Sequence, residues 1–350
     1  MSLALLILHI TIIICLFTRD SFAKFVNEQC FPLKIIAVLV ITFLLMFVDN
    51  SWMEFYVGMS EIISIVFLIY QSITLIDFGY VWNETWLEKY ENGTTFYMVL
   101  MGVFSILLLG SNIYLLYFNF LNFWLPDCVY NKINLVTNVV VIIVLIVLVV
   151  LNLNESSSIL TAFFITTILT YFNGLSLASY LNPQCNSYIA KDNENTLIYN
   201  TFFHIAVNLV LALITCLHSS LNVKSSEGFK NANINYLADN SQDDSMESDE
   251  VELNGRGYNR RGQEEEDNDI AIYKTNEYVF FHLIMLFFAI YLVMLFFDWR
   301  TVDINFDKWT SLKTSNPIAF YAKTINNLIF LLLYIWTLIA PAVLKDREFD

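Results

Sequence analysis

Charged residues are scarce in this 350-residue chain, and basic residues are the scarcer kind. Only 15 % of the residues are Asp, Glu, Lys or Arg, and 18 Lys and Arg face 33 Asp and Glu, for a net charge of −15. Such an acidic chain repels phosphates, which excludes a nucleic-acid-binding protein. Four His and five Cys, without a Cys-x-x-Cys or His-Glu-x-x-His motif, predict neither a metal site nor a disulfide-built secreted fold.

The chain is rich in apolar sequence instead. Hydrophobic residues form 57 % of it, in runs that a soluble core of this size could not cover. A helix needs about 20 apolar residues to cross the hydrocarbon core of a bilayer. Nine segments meet or approach this length and predict an all-α polytopic transmembrane bundle: 3–18, 33–48, 53–81, 96–121, 134–153, 157–179, 199–218, 277–298 and 324–344.

The first segment, 3–18, has a second interpretation as a signal peptide. Ser21 and Ala23 would be the small residues before its cleavage point. No Lys or Arg precedes the segment, whereas a signal peptide begins with basic residues, and this favours a retained helix. Nine retained spans place the two ends of the chain on opposite sides of the membrane.

The basic residues of the connections indicate the orientation. With nine alternating spans, 12 of the 18 Lys and Arg lie on one side, when Lys34 is counted there. Cytoplasmic loops carry an excess of Lys and Arg, so this side, which contains 219–276 and the C-terminal tail, is predicted to be cytoplasmic. The loop 299–323 lies on the other side and is predicted to be luminal. The N-x-S/T sequons at Asn83 and Asn92 would then face the cytoplasm and carry no glycan.

Residues 219–276 replace the apolar runs with Ser, Asn, Asp, Glu and Gly. The acidic residues are densest at Glu264–Asp267. A segment of this composition cannot bury enough apolar surface to fold. We predict a disordered acidic cytoplasmic loop that separates a bundle of seven spans, 1–218, from the last two spans, 277–350. The loop either carries sorting signals, phosphosites and sites for trafficking adaptors or is only a tether.

Two of the five cysteines can form a disulfide in this topology. Cys128 and Cys185 both fall on the luminal side, where oxidation is permitted. Their spacing leaves open whether they meet, so the disulfide is a hypothesis beside that of two free thiols.

The third segment is longer than a bilayer requires and carries polar side chains. At 1.5 Å per residue, 53–81 would form a helix about 43 Å long, which must tilt, kink or project beyond the hydrocarbon. The segment contains Glu61, Gln71 and Asp77. Ionisable groups inside a span are costly and indicate a functional site, although Asp77 is also explained by a place in the headgroup region.

Two further polar positions lie inside predicted spans. An isolated His such as His282 more often bonds a neighbouring helix than binds a ligand. Asn326 and Asn327 are adjacent and therefore point to different faces, so at least one of them looks into the bundle. The spacing supports no Ser-His-Asp, Cys-His or two-carboxylate set and no Gly-rich phosphate loop. We therefore expect no enzyme, no cofactor and no ATP-driven transport.

Three stretches of the sequence carry the pattern of a known family. They are Phe31–Lys34 with Leu75–Phe78 and Trp82–Leu87, Phe280–Leu283 with Asp298–Trp299, and Leu333–Pro341 with Arg347–Phe349. They cover nearly the whole chain in the order of the Serinc family, the serine incorporators also called TMS or TDE proteins, which this chain resembles. The third stretch is the most specific.

The chain also departs from the family pattern. Family members usually begin with a Cys-rich segment and another span, so this chain is expected to be shorter by about two helices. The run Asn182–Asn186 resembles the family's EPD…CNP stretch but lacks its acidic pair. Asn326 and Asn327 stand where a Ser-containing pair is usual.

The resemblance implies a bundle of two halves, bridged by long tilted helices, with a lipid-accessible groove. It implies involvement with phosphatidylserine and sphingolipids, through serine incorporation into lipids or ATP-independent scrambling. The expected location is the plasma membrane or an endomembrane of the ER, Golgi or endosome. Membrane lipids are the expected partners, together with trafficking adaptors and a second copy of the chain.

Three functions are consistent with these features. The leading hypothesis is a lipid-moving protein whose groove residues are Glu61, Gln71, Asn326 and Asn327, because polar groups at membrane depth would give headgroups a wet path. The second is a secondary transporter of a small polar solute such as serine, although the five prolines lie in loops or near span ends apart from Pro341. The third is a non-transporting scaffold whose acidic loop recruits lipid-synthesising enzymes.

Overall fold

The computed structural model describes most of the apolar part of the chain. The described residues are 1–17, 31–151, 157–180, 182–186, 202–221, 278–296, 299 and 317–343. Within them the chain forms α1 Ser2–Phe17, α2 Phe31–Leu45, α3 Asn50–Glu91, α4 Phe96–Phe123, α5 Val129–Val150, α6 Ile159–Ala178, α7 Phe202–Leu221, α8 Tyr278–Phe296 and α9 Pro317–Val343. The all-α polytopic fold class predicted from the apolar segments is confirmed.

Seven of these helices, α3 to α9, are long and apolar enough to cross a membrane, and α1 and α2 are shorter apolar helices. Each of the nine predicted spans corresponds to one helix. The predicted acidic loop falls almost wholly outside the described residues, except that residues 219–221 belong to the end of α7.

The helix α3 extends ten residues beyond the predicted end at residue 81. Its 42 residues correspond to about 63 Å at 1.5 Å per residue, which exceeds the 40–45 Å of a whole bilayer with its headgroups. The added segment carries charge, so its hydropathy gives no sign of it. Aromatic packing stabilises it, because Trp82 lies 5.2 Å from Trp86, 5.6 Å from Phe104 and 5.7 Å from Phe164, measured between ring centroids.

Two helices begin earlier than their apolar runs do. The helix α9 begins at Pro317, so residues 317–323 are helical and the predicted loop 299–323 is wrong in that part. Proline suits the first turn of a helix, where its missing N–H would have no partner within the helix. The helix α5 begins at Val129, five residues before the predicted start at 134. In both cases the first turns contain polar residues that a hydropathy window assigns to a loop.

The chain divides into two compact units that each join separate parts of the sequence. The first unit comprises Met1–Trp52 and Cys216–Ile290, and the second comprises Met53–Thr215 and Tyr291–Asp350. The sequence instead predicts a division at the acidic loop, between 1–218 and 277–350. Most of α3, all of α4, α5, α6 and α9, and parts of α7 and α8 belong to the second unit.

The helix α6 lies at the centre of the second unit. Of its 20 residues, 16 are buried, because α4, α5 and α9 all pack against it. A helix surrounded in this way has no polar outer face, so its hydroxyl groups bond neighbouring helices. The Thr161 hydroxyl donates to the Gly79 carbonyl oxygen at 3.1 Å, and that of Thr167 can donate to the Leu108 carbonyl oxygen at 3.1 Å.

Glycosylation at Asn92 tests the predicted orientation. Asn92 is exposed just beyond the end of α3, whereas Asn83 is buried within it. We expect no glycan on Asn92 in a eukaryotic expression host, because the predicted orientation places it in the cytoplasm. An endoglycosidase mobility shift on a denaturing gel measures the glycan.

A created sequon provides the positive control for that experiment. Asn195→Thr makes Asn193 an acceptor in the connection 180–198, which the predicted orientation places on the luminal side. This variant is expected to gain one glycan. A glycan that is present on the unaltered chain and lost in Asn92→Gln would reverse the orientation.

Candidate functional site

One face of α3 buries a row of polar side chains. Ser60, Ser64 and Gln71 lie within about 40° of one another around the helix, at 100° per residue. Each is at most 1 % exposed. The row extends about 16 Å along the helix, roughly half of the 30 Å hydrocarbon thickness.

Two members of this row lack hydrogen-bond partners in the part of the chain that the structure describes. They are the Ser64 hydroxyl oxygen and the Gln71 side-chain nitrogen Nε2. A buried polar group without a partner costs about 1–3 kcal/mol, and folded proteins contain few of them. Here both occur on one face of one helix, two turns apart, so this face is suited to a polar occupant.

The helix α9 adds two amides beside α3. The Ser72 hydroxyl lies 3.1 Å from Asn326 Oδ1 and 3.0 Å from the Leu68 carbonyl oxygen, and can donate to either. Asn326 is buried, and the half-buried Asn327 has an Oδ1 without a hydrogen-bond partner among the described residues. Asn326 therefore carries the buried polar contacts of α3 across to α9.

Asn326 also lines a cavity of the second unit. The cavity is partly open and is lined by residues of α3, α6, α7, α8 and α9 and by Trp299. Its polar lining side chains are His204, Asn208, Tyr291, Lys323 and Asn326. Apolar and aromatic walls with a few polar groups are typical of small-molecule sites.

The sequence-predicted groove residues occupy different environments. Asn326 lines the cavity, and Gln71 is buried on the polar face of α3. Glu61 is half-buried and Asp77 is exposed, and neither lines the cavity. Gln71 and Asn326 are thus buried polar side chains of α3 and α9, and Asn327 is half-buried.

Sequence reasoning missed three polar residues of the cavity. Lys323 was assigned to a loop, because the start of α9 was placed after it. His204 and Asn208 lie in the predicted span 199–218, for which the sequence pattern predicts no functional residue. Their spacing of four residues, which places both on one face of α7, was the signal that could have found them.

The predicted cysteine pair forms a disulfide in the structure. Cys128 and Cys185 are joined, with their Cα atoms 5.5 Å apart. Two fully buried amides support this corner, since Asn131 donates to the Cys185 carbonyl oxygen at 2.7 Å and Asn186 donates to the Ala178 carbonyl oxygen at 2.6 Å. The corner connects the start of α5 to the end of α6.

His282 contacts a histidine that the sequence analysis did not select. In the first unit, its Nδ1 lies 2.9 Å from Nδ1 of His9, and both side chains are buried. One ring nitrogen donates and the other accepts when the rings have the appropriate tautomers. This contact joins α1 to α8, in keeping with a structural role for His282.

These features define a class of protein. Apolar helices of membrane-spanning length, packed around buried polar side chains, make this chain an integral multi-pass membrane protein. The family model for serine incorporators, Serinc, matches residues 1–347, and the chain belongs to the Serinc family.

Individual relatives agree with the family assignment. Serine incorporator 3 of Bos taurus is 27 % identical over 332 residues, which cover 86 % of this chain and 67 % of that protein. A probable serine incorporator of Nematostella vectensis is 25 % identical over 328 residues, with the same two coverages. Serine incorporator 2 of Homo sapiens is 24 % identical over 319 residues, covering 86 % of this chain and 66 % of that protein. The chain spans about two thirds of the length of these relatives.

Proposed function

We propose that this Serinc protein moves phospholipids between the two leaflets without ATP, an activity linked to phosphatidylserine and sphingolipid metabolism. The observation that carries the proposal is the buried polar face of α3, on which the Ser64 hydroxyl and the Gln71 Nε2 have no hydrogen-bond partner among the described residues. Glu61, Asn326 and Asn327 are proposed to contribute to the same path.

A lipid headgroup must cross the hydrocarbon core to move between leaflets. A charged group at the bilayer centre costs several kcal/mol or more, and polar side chains or water at that depth reduce the cost. The polar row on α3 covers about half of the hydrocarbon thickness. Because scrambling is downhill, such a path needs no ATP-binding motif.

The cavity of the second unit favours a second candidate function, secondary transport of a small polar solute such as serine. Its lining combines a lysine, an imidazole and two amides, groups that can hydrogen-bond a carboxylate and an ammonium. Uptake of labelled serine into proteoliposomes tests this function. Uptake without lipid scrambling would favour it over the lipid pathway.

The replacement Gln71→Leu separates a lipid path from a structural role. We expect the scrambling rate in liposomes to fall about two- to tenfold, since one hydrogen-bonding group is lost from the path. The thermal midpoint should stay the same or rise, because Nε2 has no partner among the described residues and its removal relieves a desolvation cost. Dithionite quenching of fluorescent lipids measures the first quantity, and intrinsic fluorescence during heating measures the second.

A matched control lies on the same helix. Thr74 is buried, but its hydroxyl already donates to the Tyr70 carbonyl oxygen at 3.0 Å. Thr74→Val is therefore expected to leave the scrambling rate within about twofold of that of the unaltered protein. Equal rates for Gln71→Leu and the unaltered protein would remove Gln71 from the path, and a large fall in its thermal midpoint would assign it a structural role.

A further inference from the structure

We infer that the cavity of the second unit binds a phosphate group, that of a phospholipid headgroup, with Lys323 as its charged ligand. The choice of a lipid as the source of the phosphate rests on the proposed function. The preference of the cavity for an anion does not depend on the proposed function.

The Lys323 side chain is held in place by a neighbouring helix. Its Nζ donates to the Ser179 hydroxyl oxygen at 2.9 Å, and Ser179 is the residue that follows the last turn of α6. A cation is favoured there because the carbonyl groups at a helix C-terminus carry partial negative charge. An ammonium group has three donors, so the bond to Ser179 is compatible with contact to an anion.

The remaining lining increases the preference for an anion. Among the described residues that line the cavity, Lys323 is the charged one and none is Asp or Glu. Asn208 and Asn326 provide neutral amides, which can donate to phosphate oxygens. Because the other walls are apolar, the effective dielectric constant is low and the attraction between the ammonium and an anion is stronger than in water.

Trp299 provides an independent observation at the same cavity. Its backbone has a φ of 56°, in the left-handed region that a bulky side chain rarely adopts. Its backbone N–H donates to the Met294 carbonyl oxygen at 3.0 Å, and its side chain is 4 % exposed and lines the cavity. Strained residues of this kind cluster at ligand sites. An indole with an apolar body and one N–H suits the boundary between a headgroup and its acyl chains.

The cavity is partly open, so that acyl chains can remain outside while the phosphate reaches Lys323.

Binding of short-chain phospholipids to the purified full chain in detergent tests the inference. Isothermal titration is performed with dihexanoylphosphatidylcholine, dihexanoylphosphatidylserine and dihexanoylglycerol, which lacks the phosphate. We expect both phospholipids to bind at least about tenfold more tightly than dihexanoylglycerol. Lys323→Gln should weaken phospholipid binding at least about tenfold, because a charge-assisted hydrogen bond is lost. Lys323→Arg, which keeps the charge, should retain binding within about threefold.

Lys132→Gln is the matched control, since Lys132 is also half-buried in the second unit but does not line the cavity. It should bind as the unaltered protein does. Equal affinities for the phospholipids and dihexanoylglycerol would overturn the inference even if Lys323→Gln failed to fold. An unchanged phospholipid affinity of the folded Lys323→Gln variant would also overturn the inference.

Competition distinguishes the two sources of a phosphate group. Displacement of the phospholipids by millimolar inorganic phosphate would support the phosphate site and assign it to the free anion. Resistance to displacement would support the lipid phosphate.

The proposed function can fail separately from this inference. If the unaltered protein does not scramble lipids but Lys323→Gln weakens phospholipid binding, the phosphate site is supported and the proposed function is contradicted. If the unaltered protein scrambles lipids but Lys323→Gln leaves phospholipid binding unchanged, the proposed function is supported and the phosphate site is contradicted.

Discussion

Gly174→Leu is expected to lower the free energy of unfolding by about 1–5 kcal/mol, because α4 and α6 approach too closely at this point for a leucine side chain. A Cβ atom at Gly174 would lie 2.6 Å from Oδ1 of Asn119 and 3.1 Å from its Nδ2. Asn119 cannot swing away without cost, since it is buried and donates to the Thr170 carbonyl oxygen at 3.2 Å.

Two costs oppose one gain in stability when leucine replaces Gly174. Leucine gains about 1 kcal/mol of helix propensity over glycine. Overpacking costs about 1–3 kcal/mol, and the lost bond of a buried amide costs a further 1–3 kcal/mol. The net loss of about 1–5 kcal/mol should lower the thermal midpoint by several degrees, measured by intrinsic fluorescence of the purified protein.

Gly110→Leu is the matched control on α4. Beyond the adjacent residues and backbone of its own helix, no atom of the described residues lies within 4 Å of a Cβ built at Gly110, so the same replacement meets open space there. We expect its midpoint to be unchanged or higher. If both variants melted alike, the close approach of α4 and α6 at Gly174 would be contradicted.

Removal of the Cys128–Cys185 disulfide should destabilise the second unit by about 2–4 kcal/mol. The bond joins residues 57 apart in the sequence, and cross-linking a loop of this length restricts the unfolded chain. It also positions the Cys185 carbonyl oxygen, to which Asn131 donates. The paired variant Cys128→Ser/Cys185→Ser is expected to melt several degrees lower than the unaltered protein.

Two observations complete the test of the disulfide. The unaltered protein should change its gel mobility on reduction, and the paired variant should not. Cys15→Ser, at an exposed cysteine of α1, should leave the midpoint unchanged. Identical gel mobilities of the unaltered protein with and without reducing agent would contradict the disulfide.

The sequence predicted the helices well because an apolar run is a local property. A bilayer excludes unpaired backbone groups, so each long run must become a helix. The boundaries failed where helices continue in polar sequence, at Trp82–Glu91 of α3 and at the first turns of α5 and α9. Aromatic packing stabilises the added part of α3 and a first-turn proline suits the start of α9, and neither effect contributes to hydropathy.

The candidate site was harder to predict from sequence. Gln71 and Asn326 were found because an amide in a span is unusual. Ser60 and Ser64 were missed, since single serines are common in spans and only tertiary packing shows that they are buried. Lys323 required the correct start of α9, and the unusual backbone of Trp299 has no signature in the sequence.

The most direct test of the lipid-path account is the extent of dithionite quenching in liposomes that contain the purified full chain. Liposomes with fluorescent phosphatidylserine or phosphatidylcholine are prepared with and without the protein. In protein-free liposomes, only the half of the label that lies in the outer leaflet is quenched. The account predicts quenching well beyond half, without ATP, for both lipids. Quenching that stops at half, from protein shown to be folded by its thermal midpoint, would contradict it.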